Sequence, residues 1–319
     1  MTRSSFVGGT MMSFAAAIAV AGRAEGAGVD VAYAGSLVTA FERAIGPAFA
    51  KTGYTFHGEA KGSVALAKLI QGGLRRPDVF VSADLAVLDD LLRAQHGEFV
   101  RWYVPFAESR LVVGYAPSSA FAPAFVDVAR GRRDLADVLA EPGLRLGRTD
   151  PALDPKGYRT IVALKLLERV AKRPGLEARV LGEARNPAQV FPEETLEARL
   201  ESGDLDAAFL YATESAARRL PAVELPAQAN LGDPKRAAEY GEKSVEIEGV
   251  VRKGTPIVYG VTVPNVARNP DGGAAFVDFL FSARGVTLLE RSGLRVDLGA
   301  VVGDAASLPE HLRRRFARA

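Results

Sequence analysis

From Val29 onward the apolar residues fall alternately into short continuous runs and helical spacings. The run VDVAYAG (29–35) reads as a buried strand. In the segment after it Leu37, Phe41, Ile45 and Phe49 recur every fourth position, which predicts a helix, and Pro47 predicts a kink or restart within it. YTFHGEA (54–60) predicts a second strand and SVALAKLIQGG (63–73) a helix closed by Gly72 and Gly73. PDVFVSAD (77–84) predicts a third strand, followed by a helix in LAVLDDLLRAQ (85–95). This alternation predicts an α/β fold with a mostly parallel sheet and helices on both faces.

The apolar run RLVVGYAP (110–117) opens a second series. It continues through LRLGRTD (144–150), helices in GYRTIVALKLLERVAK (157–172) and PEETLEARLESG (192–203), and a strand in DAAFLYA (206–212). TPIVYGVTVP (255–264) predicts another strand, and AAFVDFLFSARGVTLLERSG (274–293) one long amphipathic helix. Two βα systems joined by two extended crossings predict two lobes around a cleft. The first lobe takes 28–109, the second 110–258, and 259–319 returns to the first. Open α/β sheets bind ligands beyond the carboxyl ends of their strands, so the cleft is where a ligand is expected.

Composition narrows the function. The 319 residues, 48% hydrophobic and 24% charged, suit a globular protein of about two domains. A net charge of +2 is too small to argue for nucleic acid, and no basic face interleaved with aromatics supplies a site for it. The basic end RRRFAR (313–318) reads as a solvated helix terminus. At the other end Arg3, the apolar run MMSFAAAIAVAG (11–22) and the small residues Ala19, Ala21 and Ala24 have the form of an export signal occupying 1–24. Cleavage is expected after Ala21, Ala24 or Ala27, since the run is shorter than the ~20 residues of a membrane span. With no cysteine there is no disulfide framework, thiolate metal site or lipid anchor, which places an exported chain in a periplasm.

Two short loops share one form. AGSL sets Ser36 between a strand and a helix, and KGSV sets Ser63 in the same place one unit later. Glycine allows the tight turn, and a helix N-terminus presents unpaired N–H groups that suit an anion. The residues alone leave open whether these serines are plain helix caps or parts of an oxyanion cradle. In DPKGYR, Asp154 precedes a proline at the expected helix start, the ordinary position of an N-cap. His57, His96 and His311 lack metal-ligand spacing, and neither G-x-S-x-G nor a phosphate-cradling G-x-x-x-x-G-K-[ST] occurs.

The ordered set AGSL, GSV, PDVFVSAD, RWYVPFAESRLVVGYAP, DPKGYRT, TPIVYGVTVP and FVDFLFSARGVTLLERSG resembles the molybdate/tungstate-binding proteins of ABC importers, most closely their archaeal-type branch. The resemblance runs from residue 29 to about 297. It implies a two-lobed periplasmic binding-protein fold of type II, acting as a monomer. Such a receptor binds its oxyanion as ligand, without a cofactor, and passes it to a membrane permease. It implies ligand roles for Ser36, Ser63 and Tyr211, and coordination of the molybdenum or tungsten centre by Asp154. The branch's second coordinating carboxylate falls nearest to Glu214, and Leu153 stands where relatives often carry another aspartate. A carboxylate ~4 Å from a unit negative charge costs about 4 kcal/mol at an effective dielectric of 20, so Asp154 belongs in such a site only by bonding to the central atom. Two other readings stay open: a receptor for a different small oxyanion such as sulfate, and a secreted hydrolase using carboxylates across the cleft.

Overall fold

The computed structural model describes residues 27–93 and 98–316, so the export signal and His96 lie outside the described residues. Seven strands form the first sheet. Along it run Arg295–Val296, Trp102–Ser109, Ile257–Thr262, Val79–Ser82, Gly28–Ala34 and Thr55–Lys61, and Val302–Gly303 also pairs with Trp102–Ser109. Gly28–Ala34 is parallel to both Thr55–Lys61 and Val79–Ser82. Ile257–Thr262 lies antiparallel between Val79–Ser82 and Trp102–Ser109. The second sheet runs Val190–Phe191, Leu146–Thr149, Ala207–Tyr211, Leu111–Tyr115, Ala222–Glu224. Its first three strands are parallel and Leu111–Tyr115 is antiparallel to its neighbours.

The two sheets are therefore mixed rather than mostly parallel, and the crossings explain it. Trp102–Ser109 carries the chain out of the first sheet and Leu111–Tyr115 carries it into the second, one residue later. A strand that enters a lobe from the cleft must run against the strands that end there. Ile257–Thr262 is the matching case on the return. The result is a two-lobed α/β fold in which the carboxyl ends of the parallel strands of both sheets face one cleft.

One helix breaks where Pro47 predicted a kink or restart, and another departs from expectation. The helix after the first strand is broken into short 3-10, α and π turns, with the π turn at Phe41–Ile45 ending two residues before Pro47. Proline lacks the N–H of a regular helix and its ring crowds the carbonyl four residues back, which a wider turn relieves. The long C-terminal amphipathic stretch is two helices, Pro270–Leu280 and Ala283–Arg291, bent by 68°. Ser282 Oγ caps the second by accepting from Gly285 N at 3.1 Å. The apolar spacing continues across the bend, so periodicity alone reads as one helix. Among the described residues no single helix is long and apolar enough to cross a membrane.

Candidate functional site

The register Ala34↔Lys61 ends two neighbouring parallel strands at the same level. Gly35-Ser36 and Gly62-Ser63 therefore turn side by side at the cleft edge, next to Ala83-Asp84 after the third strand. Neither serine hydroxyl caps its own helix. Ser63 is the first helical residue after the N-cap Gly62, and its Oγ accepts from Ala83 N at 3.0 Å. Ser36 Oγ accepts from the Tyr259 hydroxyl at 3.1 Å. A register shift between Tyr259 and Gly260 bends that strand where Tyr259 turns toward the site. The plain-cap reading of the two serines is thus not what the fold uses.

Across the cleft Asp154 does cap its helix, Pro155–Ala171. Its Oδ1 accepts from Lys156 N at 2.8 Å and from Thr149 Oγ1 at 2.7 Å. Both bonds fall on one oxygen, so capping leaves the other for a second role. Tyr211 ends the strand Ala207–Tyr211, and its hydroxyl accepts from Arg159 at 2.9 Å. Glu214 closes a capping box, accepting from Tyr211 N on Oε2 at 2.6 Å. Its Oε1 lies 2.5 Å from Lys156 Nζ. Both oxygens of Glu214 therefore have partners inside the second lobe.

Two residues that sequence reasoning missed complete the cluster. Glu193, the first residue of the helix Glu193–Glu201, reaches across the cleft. Its Oε2 accepts from Gly35 N at 2.9 Å and its Oε1 from Ser36 N at 3.0 Å. A Cβ at position 35 would lie 2.6 Å from that carboxylate, so only glycine permits the approach. Lys156, fully buried, stands between Glu193 Oε1 at 3.3 Å and Glu214 and lies 5.4 Å from the centre of the Tyr211 ring. Glu193 carried no distinctive signal: an acidic residue after proline at a helix start is commonplace. Lys156 sat inside the quoted DPKGYR, where a lysine on a helix's first turn suggests only solvent.

Charge holds the cluster together. Burial, and then the charge of Asp154, push the Glu193 carboxyl well above the usual carboxylate range, with Lys156 opposing them. Burial works against the Lys156 ammonium, but Glu214, Glu193 and Asp154 outweigh it and hold it charged. Beside them Asp84 of the first lobe accepts from the Tyr158 hydroxyl and pairs with Arg159 at 3.3 Å. Ala65 N donates to Leu153 O at 2.9 Å, again across the cleft. The lobes are thus closed on one another, and Ser36, Ser63, Asp154, Tyr211 and Glu214 all lie buried where they meet. A cavity of about 420 Å³, lined in part by Lys61, Gly62, Thr149, Asp154 and Glu193, leads to this cluster. A water occupies ~30 Å³ in the liquid, so the cavity has room for a small oxyanion. His57 pairs with Asp30 at the surface, away from the site. Among the described residues no group of three or more His, Cys, Asp or Glu side chains is arranged to hold a metal ion.

Residues 29–295 match the sequence profile of the bacterial extracellular solute-binding proteins. A Haloferax volcanii protein, provisionally named as an ABC transporter molybdenum-binding protein, is 37% identical over 73% of this chain and 72% of its own. The molybdate/tungstate-binding protein of Thermococcus kodakarensis is 28% identical over 72% of this chain and 69% of its own. Among solved structures, the periplasmic molybdate-binding protein of Azotobacter vinelandii superposes with a TM-score of 0.58 at 19% identity, covering 84% of this chain and 99% of its own. At that identity the likeness concerns the fold alone.

Proposed function

The chain belongs to the bacterial extracellular solute-binding proteins, and on that premise we propose that it captures molybdate or tungstate between its lobes and delivers it to an ABC importer. Export to the periplasm, removal of residues 1–24 and action as a monomer are part of the same proposal. Family and fold are those of binding proteins that serve transport, and the hydrolase alternative finds no support in them.

The observation that carries the ligand assignment is that Asp154 and Glu193 line one cavity beside a pair of backbone N–H donors. A site that binds its anion by hydrogen bonds alone excludes carboxylates, because each repels the ligand. Mo(VI) and W(VI) are hard centres that accept additional oxygen ligands, whereas the sulfur of sulfate does not expand its coordination in this way. Carboxylates at an oxyanion site therefore favour molybdate or tungstate over sulfate. Asp154 keeps one oxygen for the centre, as the family resemblance implies. For the second carboxylate the geometry favours Glu193, which lines the cavity and reaches the Gly35-Ser36 loop of the other lobe, over Glu214, whose partners Tyr211 N and Lys156 both belong to its own lobe. Ser36, Ser63 and Tyr211 then surround the oxo groups. X-ray absorption on the tungstate-bound protein should show more than four oxygen neighbours, one or two of them longer than the oxo set. A regular four-oxygen shell would overturn direct coordination.

A further inference from the structure

We propose that Lys156 is a further ligand-binding residue of this site: its ammonium offsets the charge of the carboxylates around the pocket so that a dianion can enter, and donates to the oxo groups once Glu193 yields the cradle. The proposal rests on the molybdate/tungstate reading above and adds a residue to it.

The Glu193 carboxyl group marks a position where converging donors hold acceptor oxygens. Three donors converge on it: Gly35 N and Ser36 N from the first lobe, at 2.9 and 3.0 Å, and Lys156 Nζ from the second, at 3.3 Å. Ser36 N and Lys156 Nζ share the same oxygen, Oε1. An oxyanion placed there meets the same three donors from both lobes. A lysine ammonium carries three N–H groups, and its contacts with Glu193 and Glu214 use two.

Charge balance points the same way. Asp154, Glu193 and Glu214 bring three acidic groups into contact with, or beside, one ammonium. The neighbouring cations face other groups: Arg159 pairs with Asp84 and donates to the Tyr211 hydroxyl and the Ala83 carbonyl, its buried Nε lacking a hydrogen-bond partner among the described residues, and Arg218 pairs with Glu197 at 2.5 Å. Among the described residues, no other lysine or arginine pairs with Glu193 or Glu214. Without Lys156 the carboxylates Glu193 and Glu214 would have no paired cation, and an entering dianion would meet their charge uncompensated. Burying a lysine completely is costly unless it is paired, and a residue kept here only for structure would not need to face the cradle donors.

Calorimetric titration of the full mature chain with tungstate tests this. Lys156→Met should weaken tungstate and molybdate binding about 100-fold, the loss expected for a charge-assisted contact. Lys156→Met/Glu214→Gln, which removes one charge of each sign and keeps an acceptor for Tyr211 N, should recover at least about tenfold of that loss. Should Lys156→Met fail to fold, Glu214→Gln and the double variant differ only at residue 156, and the double should bind at least about tenfold more weakly. Wild-type affinity in Lys156→Met, or a folded double variant no stronger than the single, would overturn the role of the lysine while leaving the ligand assignment standing. A wild type that binds neither oxyanion would overturn both.

Discussion

Gly62→Ala should leave both lobes folded and yet prevent them from closing. Gly62 has φ −54° and ψ 135°, a conformation any residue adopts, so alanine brings no backbone strain. The obstacle is across the cleft, where an added Cβ would lie 2.4 Å from Leu153 O and 2.9 Å from Asp154 Cβ. Backbone atoms of the opposite lobe cannot rotate aside as a side-chain tip can. The bond from Ala65 N to the same Leu153 carbonyl would be lost with the approach. Overpacking costs about 1–3 kcal/mol, and since the penalty falls only on the closed form, oxyanion affinity should drop about 10- to 100-fold. Small-angle scattering should show a larger radius of gyration than wild type at saturating tungstate, with an unchanged melting profile without ligand. A variant that compacts as wild type does would mean that ligand is held without this contact.

Asp154→Asn should lower tungstate affinity by at least about 100-fold, the upper end of what losing even an outer partner costs a metal site. Asparagine retains the acceptor that Lys156 N and Thr149 use, so the helix cap and the fold survive. What is lost is the charged oxygen available to the central atom. The same change removes a repulsion of about 4 kcal/mol per unit charge at ~4 Å and a dielectric of 20, so discrimination against sulfate should shrink as tungstate weakens. Titration with both anions checks the two effects together. A pure cap, which asparagine would replace, would show unchanged affinities and unchanged selectivity.

The strand–turn–helix units were legible because periodicity and glycine placement report local geometry directly. Ser36 and Ser63 followed from that, and the register Ala34↔Lys61 is why two similar loops become one cradle. The cap of Asp154 was also readable, since Asp-Pro at a helix start has few other uses. The partners of these groups were not. Glu193 lies 158 residues from Gly35 in sequence, and its approach depends on the second lobe closing onto the first. Glu214 stood close to Tyr211 and so suggested itself as a ligand, but that same closeness commits it to a capping box. The bend at Ser282 was hidden because amphipathic spacing survives a change of helix axis. Local rules thus gave the parts of each lobe, while contacts between the lobes depended on topology that no local pattern encodes.

The central claim is selective capture of molybdate or tungstate, and one calorimetric titration of the mature protein against molybdate, tungstate, sulfate and phosphate tests it most directly. Molybdate and tungstate should each bind tightly with one site per chain, and sulfate and phosphate should bind at least about 100-fold more weakly, as the repulsion of uncoordinated carboxylates requires. Equal binding of sulfate, or no heat with molybdate and tungstate, would contradict the account.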